Sequence, residues 1–128
     1  MAQVLLLEPD RVLARSYQQA LHREGHVVHW INDAQAALGV LDDNEIDIVV
    51  LELQLTGHNG VEFLYEFRSY PDWDHIPVLL HTLVPAHHPG LGKSYWQELG
   101  IVEYRYKPQT SLQQLVERVS HHVPVKTV

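Results

Sequence analysis

The chain predicts an α/β domain: a five-stranded parallel sheet in the order 2-1-3-4-5, flanked by five helices. Three observations carry that expectation. Short apolar runs recur at Val4–Leu7, Val27–Ile31, Ile46–Leu51, Val78–Thr82 and Glu103–Tyr106. Stretches of helical period separate them, and repeated strand–helix alternation covers a parallel sheet with helices on both faces. The first and third runs are apolar almost without a break, as central strands buried on both sides should be.

Taken in order, Leu13, Tyr17, Ala20 and Leu21 mark the inner face of a first helix, and Gly25 suits its end. Ala34, Ala37, Leu38 and Leu41 mark a second helix, with Asn32 or Asp33 placed to cap it. Val61, Leu64 and Phe67 belong to a third. The rhythm then breaks, because the segment from Leu83 to Gly92 holds two prolines and two glycines. Within a helix, Pro costs about 3 kcal/mol and Gly about 1 kcal/mol relative to Ala. The fourth helix is therefore expected to be short, near Lys93–Leu99, behind a long Pro/Gly loop. Leu112, Leu115, Val116 and Val119 give the last helix, with Thr110 or Ser111 as its cap.

At 128 residues, with 45% hydrophobic and 20% charged, the composition is that of one globular domain over 1–128. No linker or repeat suggests an appended output domain. No apolar run is long enough to span a bilayer, and the N-terminal segment lacks the features of a signal peptide. A cytoplasmic protein is the expectation. The absence of cysteine excludes disulfides and thiolate metal sites. A net charge of −7 with scattered Lys and Arg argues against nucleic acid, which needs a basic face. His87-His88 and His121-His122 lack the spacing that favours chelation on a helix and read as exposed loop and terminal residues.

Open parallel sheets bind ligands at the carboxyl ends of their strands. Those ends present Glu8, Pro9 and Asp10, then Glu52, then Thr82, then Lys107-Pro108. Acids, a hydroxyl and a lysine on one rim form a set able to hold a hard cation and a phosphoryl-like anion. A flavodoxin-like cofactor binder shares the sheet order, but the acidic loop Glu8-Pro9-Asp10-Arg11 has no glycine to cradle a phosphate.

Four motifs, in order, resemble a response-regulator receiver domain along nearly the whole chain. They are Leu5-Leu6-Leu7-Glu8-Pro9-Asp10, Val49-Val50-Leu51-Glu52-Leu53 with Gly57 to Gly60, Pro77-Val78-Leu79-Leu80-His81-Thr82, and Tyr104-Arg105-Tyr106-Lys107-Pro108. The resemblance implies an acidic pair holding Mg²⁺, a phosphoacceptor Asp, a hydroxyl and a Lys on the phosphoryl group, and a switch aromatic. Glu8, Thr82, Lys107 and Tyr104 fall at the matching positions.

Two positions depart. Pro9 stands where the second acid belongs, and Glu52 stands where the phosphoacceptor Asp belongs. Thr56 and Asn59 also replace the proline and the acid usual in that turn. An extra methylene displaces the Glu52 carboxylate by roughly 1.5 Å, and errors near 1 Å can cost about a hundredfold in rate. Glu8, Asp10 and Glu52 thus imply weak Mg²⁺ binding or none, with Asp10 as the substitute ligand or as the cap of the first helix.

The resulting expectation is a degenerate receiver in two-component signalling that acts by protein–protein contact and is no enzyme. Its partner would be a histidine kinase or an effector, and self-association into a homodimer stays open. Lys107 is expected to pair with Glu52, and Tyr104 to turn inward if Glu52 mimics the phosphorylated state. The working surface would be the fourth helix, fifth strand and fifth helix, including Trp96, Tyr104 and Arg105. The alternative is a phosphorylation-competent receiver that uses Glu8 and Asp10 for Mg²⁺.

Overall fold

The computed structural model describes residues 2–55, 58–85 and 92–123. In chain order the elements are β1 (Gln3–Leu7), α1 (Arg11–Arg23), β2 (Val27–Ile31), α2 (Ala34–Asp43) and β3 (Ile48–Leu51). A short hairpin, β4 (Gln54–Leu55) and β5 (His58–Asn59), precedes α3 (Gly60–Arg68). Then come β6 (Val78–Thr82), α4 (Lys93–Leu99), β7 (Ile101–Tyr106) and α5 (Leu112–His122). Short 3₁₀ turns lie at Pro71–Trp73 and Lys107–Gln109.

The main sheet runs β2-β1-β3-β6-β7 with every pairing parallel. Setting aside the two-residue strands of the hairpin, this is the 2-1-3-4-5 order expected from the sequence. Strand alternation divides the core. Leu5, Leu7, Val49, Leu51, Val78 and Leu80 pack towards α2, α3 and α4, with Ala37, Leu41, Leu64 and Phe67 opposite them. Val4, Leu6, Ile48, Val50 and Leu79 pack towards α1 and α5, against Tyr17, Leu21, Leu115 and Val119. Residues i and i+2 share a face of a strand, so one continuous apolar run supplies both cores.

The caps are those the sequence allows. Asp10 accepts from the Val12 and Leu13 N–H groups, Asp33 from Gln35 and Asn59 from Val61. Ser111 and Gln114 form a reciprocal capping box on α5. Gly25, with φ +86°, ends α1 in the left-handed region.

Several sequence readings need adjustment. Leu13 and Leu112 are partly exposed, and Ala14 takes the buried place on α1. Trp73, in a segment that reads as polar loop, is buried beside Phe67 because a 3₁₀ turn points it inward. Its neighbourhood is held by Arg68, whose guanidinium donates to the Leu99, Trp73 and Ile76 carbonyls. Thr56, Gly57, His87 and His88 lie outside the described residues.

Candidate functional site

The candidate site lies at the carboxyl rim of β1, β3, β6 and β7, and each strand delivers one of its side chains. Glu8 follows β1, Glu52 follows β3, Thr82 ends β6 and Lys107 follows β7. Parallel register places those ends side by side, with Leu7 beside Leu51 and Thr82 beside Tyr106. The loop after Glu52 is also pinned. A Cβ at Gly60 would stand 2.6 Å from the Leu53 Cα, so a side chain there would push the Glu52 segment off the rim.

All four side chains are withdrawn from solvent. Glu8 and Glu52 are each 2% exposed and Thr82 is fully buried. Lys107 Nζ lies 2.5 Å from Glu8 Oε1 and 2.8 Å from Glu52 Oε1. Glu52 Oε1 also accepts from the Leu83 N–H at 3.0 Å. Glu52 Oε2 accepts from the Thr82 hydroxyl and from the Gln54 N–H at 3.1 Å. The Thr82 hydroxyl in turn accepts from the Val84 N–H at 3.1 Å. Both oxygens of Glu52 are thus fully engaged.

Burial alone would raise the Glu52 pKa. Hydrogen bonds from Lys107, Thr82 and the Gln54 N–H outweigh that effect and hold the carboxyl below its usual range. Two neighbours shift in the direction burial demands. Tyr17 is pushed up to about 12, by burial first and then by the charges of Glu8, Asp10 and Glu52. His81 is pulled down to about 4, chiefly by burial and secondly by Lys107. The two rings meet edge to face at 4.9 Å beneath the rim.

The donor set does not fit the Mg²⁺ that the resemblance implies. Pro9 brings no carboxylate. Asp10 spends Oδ1 on the α1 cap, at 2.9 and 3.0 Å from the Val12 and Leu13 nitrogens. Glu8 and Glu52 both face the Lys107 ammonium, and a cation at that position would meet its charge. Among the described residues, no group of three or more His, Asp or Glu side chains could hold a metal ion.

Next to the site, Tyr104 donates its hydroxyl to the Val84 carbonyl. Its ring stacks on Trp96 with centroids 5.9 Å apart and planes 19° apart. Trp96 therefore packs from the short helix α4 onto Tyr104 of β7, and both rings are half-buried. Arg105 does not join them. Alternation along β7 sends it to the α5 side, where its Nε lies 3.3 Å from Glu103. Glu103 also receives a forked pair of 2.8 Å bonds from Arg118 and one of 2.7 Å from His122. His122 is thus a partner of Glu103 and not the exposed terminal residue its sequence position suggests.

The four side chains at the rim were readable from the strand ends. The sharing of Lys107 by Glu8 was not, nor were the Gln54 and Leu83 amides, because backbone donors leave no mark on residue identity.

Comparison with known proteins identifies the family. The profile of the response regulator receiver domain matches residues 4–120, and the chain belongs to that family of two-component signalling domains. It is 31% identical over 119 residues, 93% of the chain, to the sensory transduction protein RegX3 of Mycobacterium tuberculosis, of which it covers 49%. The transcriptional regulatory protein CpxR of Escherichia coli is also 31% identical over 119 residues, with 93% of this chain and 48% of CpxR covered. The chain thus spans about half the length of these curated relatives. Chemotaxis protein CheY4 of Vibrio cholerae superposes with a TM-score of 0.83 at 20% identity, over 96% of this chain and 99% of that one. The non-phosphorylated receiver domain of HemR from Leptospira biflexa gives 0.82 at 23%, over 100% and 98%. At these identities the likeness shows the fold. Among the described residues no helix is long and apolar enough to cross a membrane.

Proposed function

We propose that this domain is a pseudo-receiver: a signalling module that phosphate does not switch, held in one state by Glu52 and read by a partner protein through contact. One observation carries the reading. The hydroxyl and the lysine that the family directs at a phosphoryl group, Thr82 and Lys107, are both already closed on the Glu52 carboxylate. The acceptor position is filled by its own side chain.

A glutamate brings one negative charge, against about −1.5 to −2 and three acceptor oxygens for a phosphoryl group, so the imitation is partial. It nevertheless draws Thr82 inward and leaves Val84 placed to accept from Tyr104. The stacked Trp96–Tyr104 pair is then a fixed feature of the α4–β7 face, available to a histidine kinase or an effector in the cytoplasm. No reaction is assigned to the domain, because its acid, hydroxyl and ammonium are consumed by one another.

Intact mass after incubation with acetyl phosphate and Mg²⁺ tests this. The wild-type domain is expected to gain no phosphoryl group, while Pro9→Asp/Glu52→Asp gains one on the retained Thr82 and Lys107. A phosphoryl increment on wild-type Glu52 overturns the reading.

A further inference from the structure

His26 joins three elements that are far apart in the chain. It follows Gly25 at the turn from α1 into β2 and is 6% exposed. Its Nδ1 accepts from the Ala2 N–H, just before β1, at 3.3 Å. Its Nε2 lies 2.9 Å from the Ser120 Oγ of α5. A backbone N–H can only donate, so Nδ1 carries no proton in the neutral ring. The hydrogen sits on Nε2 and is donated to Ser120. The two contacts together fix the tautomer.

We infer that His26 is an acid-released latch on α5: the neutral ring ties Ser120 to the start of β1, and its protonation frees the C-terminal half of α5 from the β2 edge of the sheet. The latch is an input separate from phosphate and stands whatever the state of Glu52. Only its consequence for a partner that touches α5 rests on the proposed contact reading.

An imidazolium donates from both nitrogens. The new Nδ1–H would face the Ala2 N–H, donor against donor, where a buried charge and an unpaired donor are both unfavourable. The proton is kept only if the ring turns out to water, and that turn takes Nε2 away from Ser120. In the closed state burial first, and the α-amino group second, oppose protonation, while Glu24 favours it. The His26 pKa therefore lies below its ordinary 6.5. From α5 the ring meets the uncharged Ser120, and Arg23, Glu24 and Glu117 line the α1–α5 cleft that Ser120 also lines. On the strands, Ala2 and the paired Gln3 and Val27 are uncharged. The other flank of α5 holds as pH falls. Burial would raise the Glu103 carboxyl, but hydrogen bonds from Arg118 and His122 outweigh it and keep the group below its usual range. Acid thus frees α5 along its β2 side and leaves it hinged on β7.

The test combines histidine NMR with amide hydrogen exchange on the whole chain between about pH 7.5 and 5.5. At the upper pH, long-range ¹H–¹⁵N spectra should show His26 as the Nε2–H tautomer. An Nδ1–H tautomer or an imidazolium there overturns the inference. Exchange, corrected for its intrinsic pH dependence, is read at Val119–His122 with α2 as the reference. Below about pH 6.5, protection of these α5 amides should fall relative to α2 by up to about tenfold per pH unit, the limit set by one proton. In His26→Gln, whose amide does not titrate, that relative loss should vanish. Wild-type protection that falls in step with α2, or a loss that persists in His26→Gln, overturns the inference. If His26→Gln is recovered unfolded, Ser120→Ala carries the same test. Its α5 should already be less protected than wild type at pH 7.5, with no further loss relative to α2 in acid; behaviour like wild type overturns the inference. Phosphoryl gain by wild type refutes the pseudo-receiver reading and leaves the latch standing.

Discussion

Two charge clusters stand on either side of the β7 end of the sheet, and they are built in opposite ways. At the rim, two acids share one base, and all three side chains are withdrawn from water. Between β7 and α5, one acid, Glu103, collects Arg105, Arg118 and His122, whose side chains are 18% to 36% exposed. The second cluster gathers the greater number of partners on one acid and the first has the greater leverage. Exposed pairs are screened and pay side-chain entropy, whereas removing one member of a buried pair leaves an uncompensated charge. Burial, more than the number of contacts, decides which cluster the fold depends on.

Breaking the buried cluster should have the largest effect. Lys107→Met leaves Glu8 and Glu52 without their shared cation and is expected to cost about 3–5 kcal/mol, the range for breaking a buried ion pair. Urea denaturation at pH 7 measures it. A loss no larger than that of the Glu103 variant below would erase the contrast between the clusters.

His81 gives a second and somewhat smaller measure. It feels Lys107 and Glu52 from the buried cluster and Arg105 from the other, and it is held neutral chiefly by burial. Its folded pKa of about 4 lies below its ordinary 6.5. As pH falls, the unfolded chain takes the proton first. The contribution of neutral His81 is therefore complete above about pH 6.5 and declines towards pH 4, by about 3 kcal/mol in all at roughly 1.4 kcal/mol per unit. His26, also lowered by burial, and Glu52, lowered by its donors against the pull of burial, act in the same direction. Stability curves between pH 7.5 and 4 should flatten in His81→Leu. An unchanged slope would place the acid sensitivity elsewhere.

The smallest effect is expected from Glu103→Gln. The variant should lower Tm far less than Lys107→Met, and the difference from wild type should shrink in about 1 M NaCl, where the Debye length is about 3 Å. A large loss that salt leaves unchanged would mean that Glu103 is as structural as Glu52.

The two clusters also differ in how much of them the sequence reveals. Glu8, Glu52, Thr82 and Lys107 each stand at the carboxyl end of a strand, so their meeting follows from strand order and parallel register. Short Lys93–Leu99 was likewise readable, because prolines and glycines precede it. The Glu103 cluster was hidden, since it joins alternate residues of an edge strand to a helix reached after a turn. Arg105 shows why: one residue from Tyr104 in sequence, it lies on the opposite face of the sheet. The hairpin after Glu52 was also missed, as two residues per strand leave no periodicity to detect.

By itself, the sequence determined the alternating architecture, the polar residues at the strand ends, and the presence of Glu52 and Pro9 where the family has an aspartate and an acid. These are matters of residue identity and period, which are local. Only the tertiary structure decided that Lys107 lies between two carboxylates, that Asp10 is committed to a helix cap, and that Arg105 and Tyr104 part company. Such outcomes depend on distances between segments far apart in the chain and on how much water reaches them, and side-chain charge has its effect only through those two quantities.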